Sequence, residues 1–104
     1  MRLFIDVHDK KNQTFPEISR EDFEKFLGEF NKSCHQNGVV IVRSHVNLHD
    51  GRAFCLTMAP DEKAVRTAHD GVGLGFDSIT EVETASPNDA FFQRERKSAD
   101  ATPR

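Results

Sequence analysis

The chain has 104 residues, 37% of them hydrophobic, and its 14 basic and 17 acidic side chains give a formal net charge of -3. This length fits one domain around one core. The weakly acidic balance argues against binding nucleic acid or anionic lipid through charge, and no apolar run approaches the ~20 residues that cross a bilayer. The first residues lack the layout of a signal peptide, so we expect a cytoplasmic protein without nucleic-acid or membrane partners.

Residues 3–8 are predicted to form the first strand, because apolar side chains alternate along them. After a loop, Ser19 begins the strongest predicted helix. Ser19 and Asp22 have the spacing of a capping box, and Gly38 is suited to a left-handed cap at the other end. The buried side of this helix is predicted from an apolar stripe that consists of Phe23, Phe26, Leu27, Phe30 and Cys34.

Residues 39–47 and 52–59 are predicted to form the second and third strands, joined as a hairpin. The predicted loop has three residues, 49–51, with Gly51 in the left-handed conformation. This loop is favoured because its register makes one face of the hairpin almost wholly apolar. The predicted pairs are Leu48 with Arg52, Val46 with Phe54, Ser44 with Leu56 and Val42 with Met58 on that face, and Arg43 with Thr57 and His45 with Cys55 on the other.

A second helix is predicted to begin at Pro60, with acidic residues in its first turn, and to end at the glycines that start with Gly71. Residues 78–84 form the fourth predicted strand. The domain is expected to span residues 1–86. Residues 87–104 form a C-terminal extension that we expect to be largely disordered after Phe92, with Phe91–Phe92 folded back over an apolar patch.

The predicted order of elements, β-α-β-β-α-β, is that of the ferredoxin-like α+β fold, an antiparallel sheet with both helices on one face. The other face of such a sheet is open. A chain this small usually covers an open face that carries Phe4 and other large side chains with a second copy. We therefore expect a homodimer with two-fold symmetry in which sheet faces sheet, as in the dimeric α+β barrels.

Alternation divides the strand residues between two predicted faces. The helix-facing set is Leu3, Ile5, Val7, Val42, Val46, Phe54, Leu56 and Met58. The open-face set, inside the expected barrel, is Asp6, His8, Arg43, His45, Cys55 and Thr57. One thiol and two imidazoles on one surface suit Zn, Ni, Cu or Co. His69 lies near the end of the second helix and could reach the same site around the sheet edge.

Each candidate also has a purely structural interpretation. Cys55 alone is typical of a small buried hydrophobe, and His45 could line the barrel in a hydrogen bond with Asp6. His69 alone suits the negative end of a helix dipole. Cys34 continues the helix stripe and is expected in the core. The spacings contain no CxxC or HExxH pattern, so metal binding does not follow from spacing alone.

Several segments resemble a family of small ferredoxin-like proteins, a domain family of unknown function that includes nickel-binding members. The resemblance covers roughly residues 3–84 and is carried by Phe4–His8, by residues 38–46, by residues 50–61 with Cys55 and Ala59-Pro60-Asp61, and by residues 64–69 and 76–82. It implies a ferredoxin-like homodimer that binds nickel through His8, Cys55 and His69. We add His45 as a fourth ligand or a close neighbour of the ligands. Asp9 and Gly73-Leu74-Gly75 stand where nickel-binding relatives can have further histidines.

Three functions remain open at this point. The preferred one is a metal-binding protein, with nickel as the cofactor, for sequestration or sensing. The second is a small dimeric α+β barrel enzyme, of monooxygenase or isomerase type, in which His45 or His8 acts as acid or base on an organic ligand. The third is a bare dimeric interaction domain. Nothing in the sequence names an organic substrate, which is why the enzyme ranks second.

Overall fold

The computed structural model describes residues 1–87. They form four strands and two helices in the order β-α-β-β-α-β. The elements are β1 (Arg2–Asp9), α1 (Arg20–Gln36), β2 (Val40–Asn47), β3 (Arg52–Ala59), α2 (Glu62–Asp70) and β4 (Ser78–Val82), with a short 3-10 turn at Lys10–Asn12.

The four strands form one antiparallel sheet with the order β2-β3-β1-β4, and both helices pack against one face of it. The two central strands are therefore the first and the third in sequence. This is the ferredoxin-like arrangement, and it confirms the predicted fold class. The centre of the sheet lies directly under the helices, so side chains of β1 and β3 that point toward them are the most deeply buried.

Local signals set the ends of both helices. Ser19 caps α1, where its hydroxyl accepts a hydrogen bond from the backbone of Asp22, and Asp61 caps α2 by accepting one from Ala64. Gly38 follows α1 with a φ of 71°, the left-handed conformation that was predicted for it. These caps fix where both helices start and where α1 stops, and hence which turn of α2 lies over β1.

The core lies between the helices and the sheet. Its fully buried members come from every layer and are Phe4, Phe30, Cys34, Val39, Ala59, Val65 and Ala68. The apolar stripe of α1 faces the core, as predicted, but the burial of its side chains differs along the helix. Phe30 and Cys34 at its C-terminal half are buried, whereas Phe23, Phe26 and Leu27 are half-buried. Burial raises the pKa of the Cys34 thiol to about 12, so Cys34 is an uncharged core residue as expected.

The predicted hairpin register is wrong by one residue. The loop has four residues, 48–51, so that Asn47 pairs with Arg52, Ser44 with Cys55 and His45 with Phe54. Asn47 stabilises this longer loop, because its side-chain oxygen accepts a hydrogen bond from the backbone of Asp50 and its carbonyl accepts one from Gly51. Gly51 is left-handed, as predicted. A slip of one residue moves every β2 side chain to the other face, and a bulge at residues 41–43 shifts the register again.

The assignment of faces is also wrong. Asp6 and His8 in β1 and Cys55 and Thr57 in β3 do share one face, but that face is covered by the helices. The apolar set predicted to meet the helices lies mostly on the outer face, where Phe54 is 39% exposed. Side-chain size and polar contacts together explain why this face meets the helices. Alanine, cysteine and threonine on β3 leave room for the helices, and a histidine of α2 pairs with the buried polar groups.

Within residues 1–87, no helix is long and apolar enough to cross a membrane. The predictions for the C-terminal extension concern residues that lie almost wholly outside the described part of the chain. They include the disorder after Phe92 and the docking of Phe91–Phe92, and they remain predictions.

Candidate metal centre

A buried carboxylate between two histidines forms the most concentrated group of polar side chains beneath the helices. Asp6 Oδ2 lies 2.6 Å from His8 Nε2 and 3.0 Å from His69 Nε2. Asp6 and His69 have no exposed surface, and His8 is 2% exposed. Among the described residues, these three are a set of potential ligands whose donor atoms lie within 4.8 Å of one another. We refer to Asp6, His8 and His69 as the Asp-His-His cluster.

Strand and helix geometry bring the three residues together. Asp6 and His8 are two residues apart in β1, so both point to the helix-facing side. His69 lies in the last turn of α2, on the same side as the buried Val65 and Ala68. Because the cluster lies between helix and sheet, His69 reaches it directly, and no path around the sheet edge is needed.

Backbone carbonyls fix the orientation of both rings. His8 Nδ1 donates to the carbonyl of Gly75 at 2.7 Å and lies 3.1 Å from that of Thr14, and His69 Nδ1 donates to the carbonyl of Val65 at 2.8 Å. Carbonyl oxygens only accept, so each Nδ1 carries a proton. The Nε2 atom of each ring is thus the one available to a ligand, and both Nε2 atoms converge on Asp6.

The electrostatics of the cluster favour a charged pair in the metal-free protein. Burial would raise the pKa of the Asp6 carboxyl, but hydrogen bonds with His69 and His8 outweigh burial and hold that pKa below its usual value. Burial would lower the pKa of His8, but hydrogen bonding and charge interactions with Asp6 and Cys55 raise it to about 10. His8 is therefore an imidazolium at neutral pH, and its Nε2–H donates to Asp6.

Aromatic side chains shield the cluster from water. The ring of Phe30 lies 4.8 Å from that of His69 between centroids, and Phe76 meets the same imidazole edge-on at 5.3 Å. The His8 and His69 rings are nearly parallel, 5.4 Å apart. In these apolar surroundings, charge interactions within the cluster are stronger than they would be in water.

Next to His8, hydrogen bonds connect the loop that follows β1 with the loop that precedes β4. The Asp77 carboxylate accepts hydrogen bonds from the Thr14 hydroxyl at 2.7 Å and from the Asn12 amide at 3.0 Å. These loops carry the Thr14 and Gly75 carbonyls that face His8. The hydrogen bonds from Thr14 and Asn12 lower the pKa of Asp77. The loop contacts thus help to hold the tautomer and the orientation of His8.

Cys55 lies beside the Asp-His-His cluster. It pairs with Asp6 across the strands, and its Sγ lies 3.2 Å from the Ser44 hydroxyl, which donates to it. Interaction with Cys55 contributes to the raised pKa of His8, so the thiol is close to that ring. Cys55 Sγ is nevertheless outside the set whose donor atoms converge. It borders the cluster from the β2 side.

His45 is not at this site. The corrected register pairs it with Phe54 on the outer face, where it is exposed. The structure thus brings His8 and His69 together, keeps Cys55 next to them and separates His45 by the thickness of the sheet. The predicted hydrogen bond between His45 and Asp6 does not form, for the same reason.

Asp6 was missed as a candidate ligand, although it is the centre of the cluster. The sequence contains a signal for it: an aspartate and a histidine two residues apart in an otherwise apolar strand share one face. The prediction assigns apolar side chains to the helix-facing side of the sheet. It therefore assigns Asp6 and His8 to the opposite face, inside the expected barrel. There, an ordinary solvated aspartate is expected.

The chemistry of the cluster fits a divalent transition metal. Imidazole nitrogen suits Zn, Cu, Fe and Ni, and a carboxylate oxygen adds a negative charge. Metal bonds to such atoms are about 2.0–2.2 Å long, so one ion can reach atoms that lie as close together as these. Asp6 Oδ1 is buried without a hydrogen-bond partner among the described residues. An orphaned buried carboxylate oxygen is costly, and a cation would satisfy it.

Residues 4–82 match the family model described as "Nickel responsive protein SCO4226-like". This match confirms the family resemblance seen in the sequence. The fold is similar to the crystal structure of SCO4226 from Streptomyces coelicolor A3(2), with a TM-score of 0.68 and 21% sequence identity over 81% of this chain and 99% of that one. At this identity the likeness shows the shared fold. No curated protein is significantly similar to the chain.

Proposed function

We propose that this chain, which belongs to the SCO4226-like family of nickel responsive proteins, binds one nickel(II) ion through the Asp-His-His cluster and serves in nickel sequestration or sensing. The observation that carries the proposal is the convergence of two imidazole Nε2 atoms on one fully buried carboxylate. The family description supports nickel over the other metals that this donor set suits.

The residues of the chain prepare the site before an ion arrives. Hydrogen bonds from each Nδ1 to backbone carbonyls leave Nε2 as the ligand atom, which is the usual support of a metal-bound histidine. Asp6 supplies the negative charge, and its free Oδ1 supplies a further lone pair. A bound nickel ion would supply a positive charge in place of the proton that His8 holds on Nε2. Binding therefore releases protons.

Cys55 takes part as a neighbour of the ligands in this proposal. The Ser44 hydroxyl donates to its sulfur, and the thiol lies near His8. A thiolate is a good nickel ligand, and Cys55 would become one only if its side chain turned from Ser44 toward the cluster. His45, on the other face, is not part of the proposed site.

Metal content tests this proposal. A chelator removes bound metal from the untagged full chain, which is then dialysed against nickel. Native mass spectrometry measures how many nickel ions each chain retains. One nickel ion per chain is expected, with Asp6→Asn and His69→Gln both reducing occupancy. Cobalt, zinc and copper in parallel samples would rank the metals. A protein that retained none of these ions would contradict the proposal.

The homodimer is also a proposal, and the outer face of the sheet supports it. Leu3, Ile5, Val7, Leu56 and Met58 are half-buried there, next to Phe54, Val40 and Val42, whose exposed fractions are 39%, 45% and 44%. Such an apolar sheet face is typical of an interface with a second copy. The nickel site then lies inside each protomer, on the far side of the sheet. Light scattering at micromolar concentration should give the mass of a dimer, and a monomer mass would refute this.

A cytoplasmic location is proposed from the cysteines. Cys34 and Cys55 are both free and buried, which is typical of proteins in a reducing compartment. Fractionation with an antibody against the chain would test it, and recovery outside the cytoplasmic fraction would contradict it.

The enzyme alternative gains little from the cavity beside the site. This cavity is lined by His8, Cys55 and the phenylalanines of α1, and its volume is about 30 Å³. Pockets for organic ligands typically measure about 300–1,000 Å³. The space holds a water-sized molecule, so metal binding remains the function that the geometry supports best.

A further inference from the structure

Two buried oxygen atoms in the described part of the chain have no hydrogen-bond partner. They are Asp6 Oδ1 and Thr57 Oγ1, and both residues are fully buried. A buried hydroxyl without a partner is destabilising, and valine would fill the same space without that cost. The threonine at this position therefore needs an explanation.

The strand register makes the two residues neighbours. Phe4 pairs with Thr57 and Asp6 pairs with Cys55, so Thr57 and Asp6 are diagonal partners on the helix-facing side of β1 and β3. The Cβ atoms of diagonal partners lie roughly 7 Å apart. At that separation, two short side chains meet through one small shared group more readily than directly. The two unpartnered oxygens therefore belong to neighbouring residues on one face of the sheet, where one small group can serve both.

We propose that Thr57 is a further binding residue of the metal site. Its hydroxyl, together with Asp6 Oδ1, would hold the ion directly or through one shared water. This inference rests on the proposed function. It extends the site by a residue that neither the family description nor the converging donor atoms include.

Adding the Thr57 hydroxyl to the site changes which metal ions its donor atoms favour. Two imidazole nitrogens alone suit many transition metals, whereas added neutral and anionic oxygens favour harder divalent ions. A ligand set of imidazole nitrogens and added oxygens suits Ni²⁺, Co²⁺ or Fe²⁺ better than soft, thiolate-seeking ions such as Cu⁺. Cys55, held by Ser44, lies at the border of this set.

The test compares three variants of the full chain with the parent. Thr57→Val removes the hydroxyl and keeps the shape, Thr57→Ser keeps the hydroxyl, and Thr80→Val makes the same change on an exposed position that pairs with Ile5 on the outer face. Nickel affinity is measured by calorimetric titration. Urea unfolding of each metal-free protein is measured in parallel.

We expect Thr57→Val to weaken nickel binding by about 10–100-fold, the range for residues that support metal ligands, while Thr57→Ser and Thr80→Val bind like the parent. Metal-free Thr57→Val should be at least as stable as the parent, since it removes an unpartnered hydroxyl. These opposite effects would not arise from damaged packing.

Other outcomes separate this inference from the proposed function. If the parent binds nickel and Thr57→Val binds equally well, Thr57 is not part of the site, although the Asp-His-His cluster still is. If Thr57→Val and Thr57→Ser are both weakened and both less stable, packing explains the effect and the inference is overturned. If the parent binds no nickel, the proposed function itself fails, and this inference fails with it.

Discussion

Raising the pH above neutrality should destabilise the metal-free protein, because folding raises the pKa of His8. The folded value is about 10 and the ordinary value is 6.5. A group whose pKa is raised on folding stabilises the protein fully below its unfolded pKa, and that stabilisation is lost as the pH rises through the folded pKa. The affected range is therefore pH 6.5 to about 10.

The size of this effect follows from the same two values. One pKa unit corresponds to about 1.4 kcal/mol, so the full stabilisation by protonated His8 is about 5 kcal/mol. Between pH 6 and pH 9, about 3 kcal/mol of it should disappear. Because His8 is 2% exposed, solvent screens its interaction with Asp6 very little. This is a large part of the ~5–15 kcal/mol that holds a domain together.

Urea unfolding in the presence of a chelator measures the effect. The free energy of unfolding should fall by about 3 kcal/mol from pH 6 to pH 9. His8→Gln should flatten this dependence, whereas His49→Gln, an exposed position in the hairpin loop, should keep it. Equal stability of the parent at pH 6 and pH 9 would refute the reasoning, because His8 would then gain nothing from Asp6 on folding.

Further predictions concern the core, the contact of α1 with the end of α2, and metal binding. Phe30→Ala should cost about 3–5 kcal/mol in urea unfolding, and Phe26→Ala clearly less, because Phe30 is 2% exposed and Phe26 is half-buried; equal costs would contradict the graded stripe. Gly71→Ala should cost on the order of 1–3 kcal/mol, because its Cβ would collide with the Ser33 hydroxyl that donates to Ala68. The cost should vanish in a Ser33→Ala background, and its persistence there would show that the collision is not the cause. Nickel affinity, measured by titration, should keep rising from pH 6.5 toward pH 10 as the proton on His8 is removed, and a plateau near pH 7 would contradict the raised pKa.

The predictable part of the fold rests on local signals. Ser19 and Gly38 mark the ends of α1 because capping and left-handed backbone depend on a few neighbouring residues. The β-α-β-β-α-β order followed from alternating and helical periodicities in the same way. Each of these features is decided within one element, so the sequence alone carries it.

The part that failed depends on contacts between elements. The hairpin loop differs from the prediction by one residue, and that residue decides whether His45 lies with Cys55 or on the other face. The choice of the buried face assumed that apolar side chains meet the helices. Asp6 and His8 break that rule because Asp6 bonds both His8 and His69, and His69 comes from another element. No pattern within a single strand or helix predicts a partner that comes from another element.

Calorimetric titration of nickel into the parent, His69→Gln and His45→Gln tests the central claim most directly. Both substitutions remove one imidazole, but His69 belongs to the buried Asp-His-His cluster and His45 is exposed on the outer face. The parent and His45→Gln should bind one nickel ion per chain with the same affinity, and His69→Gln should bind at least about tenfold more weakly. Loss of binding in His45→Gln with retention in His69→Gln would contradict a nickel site between the helices and the sheet.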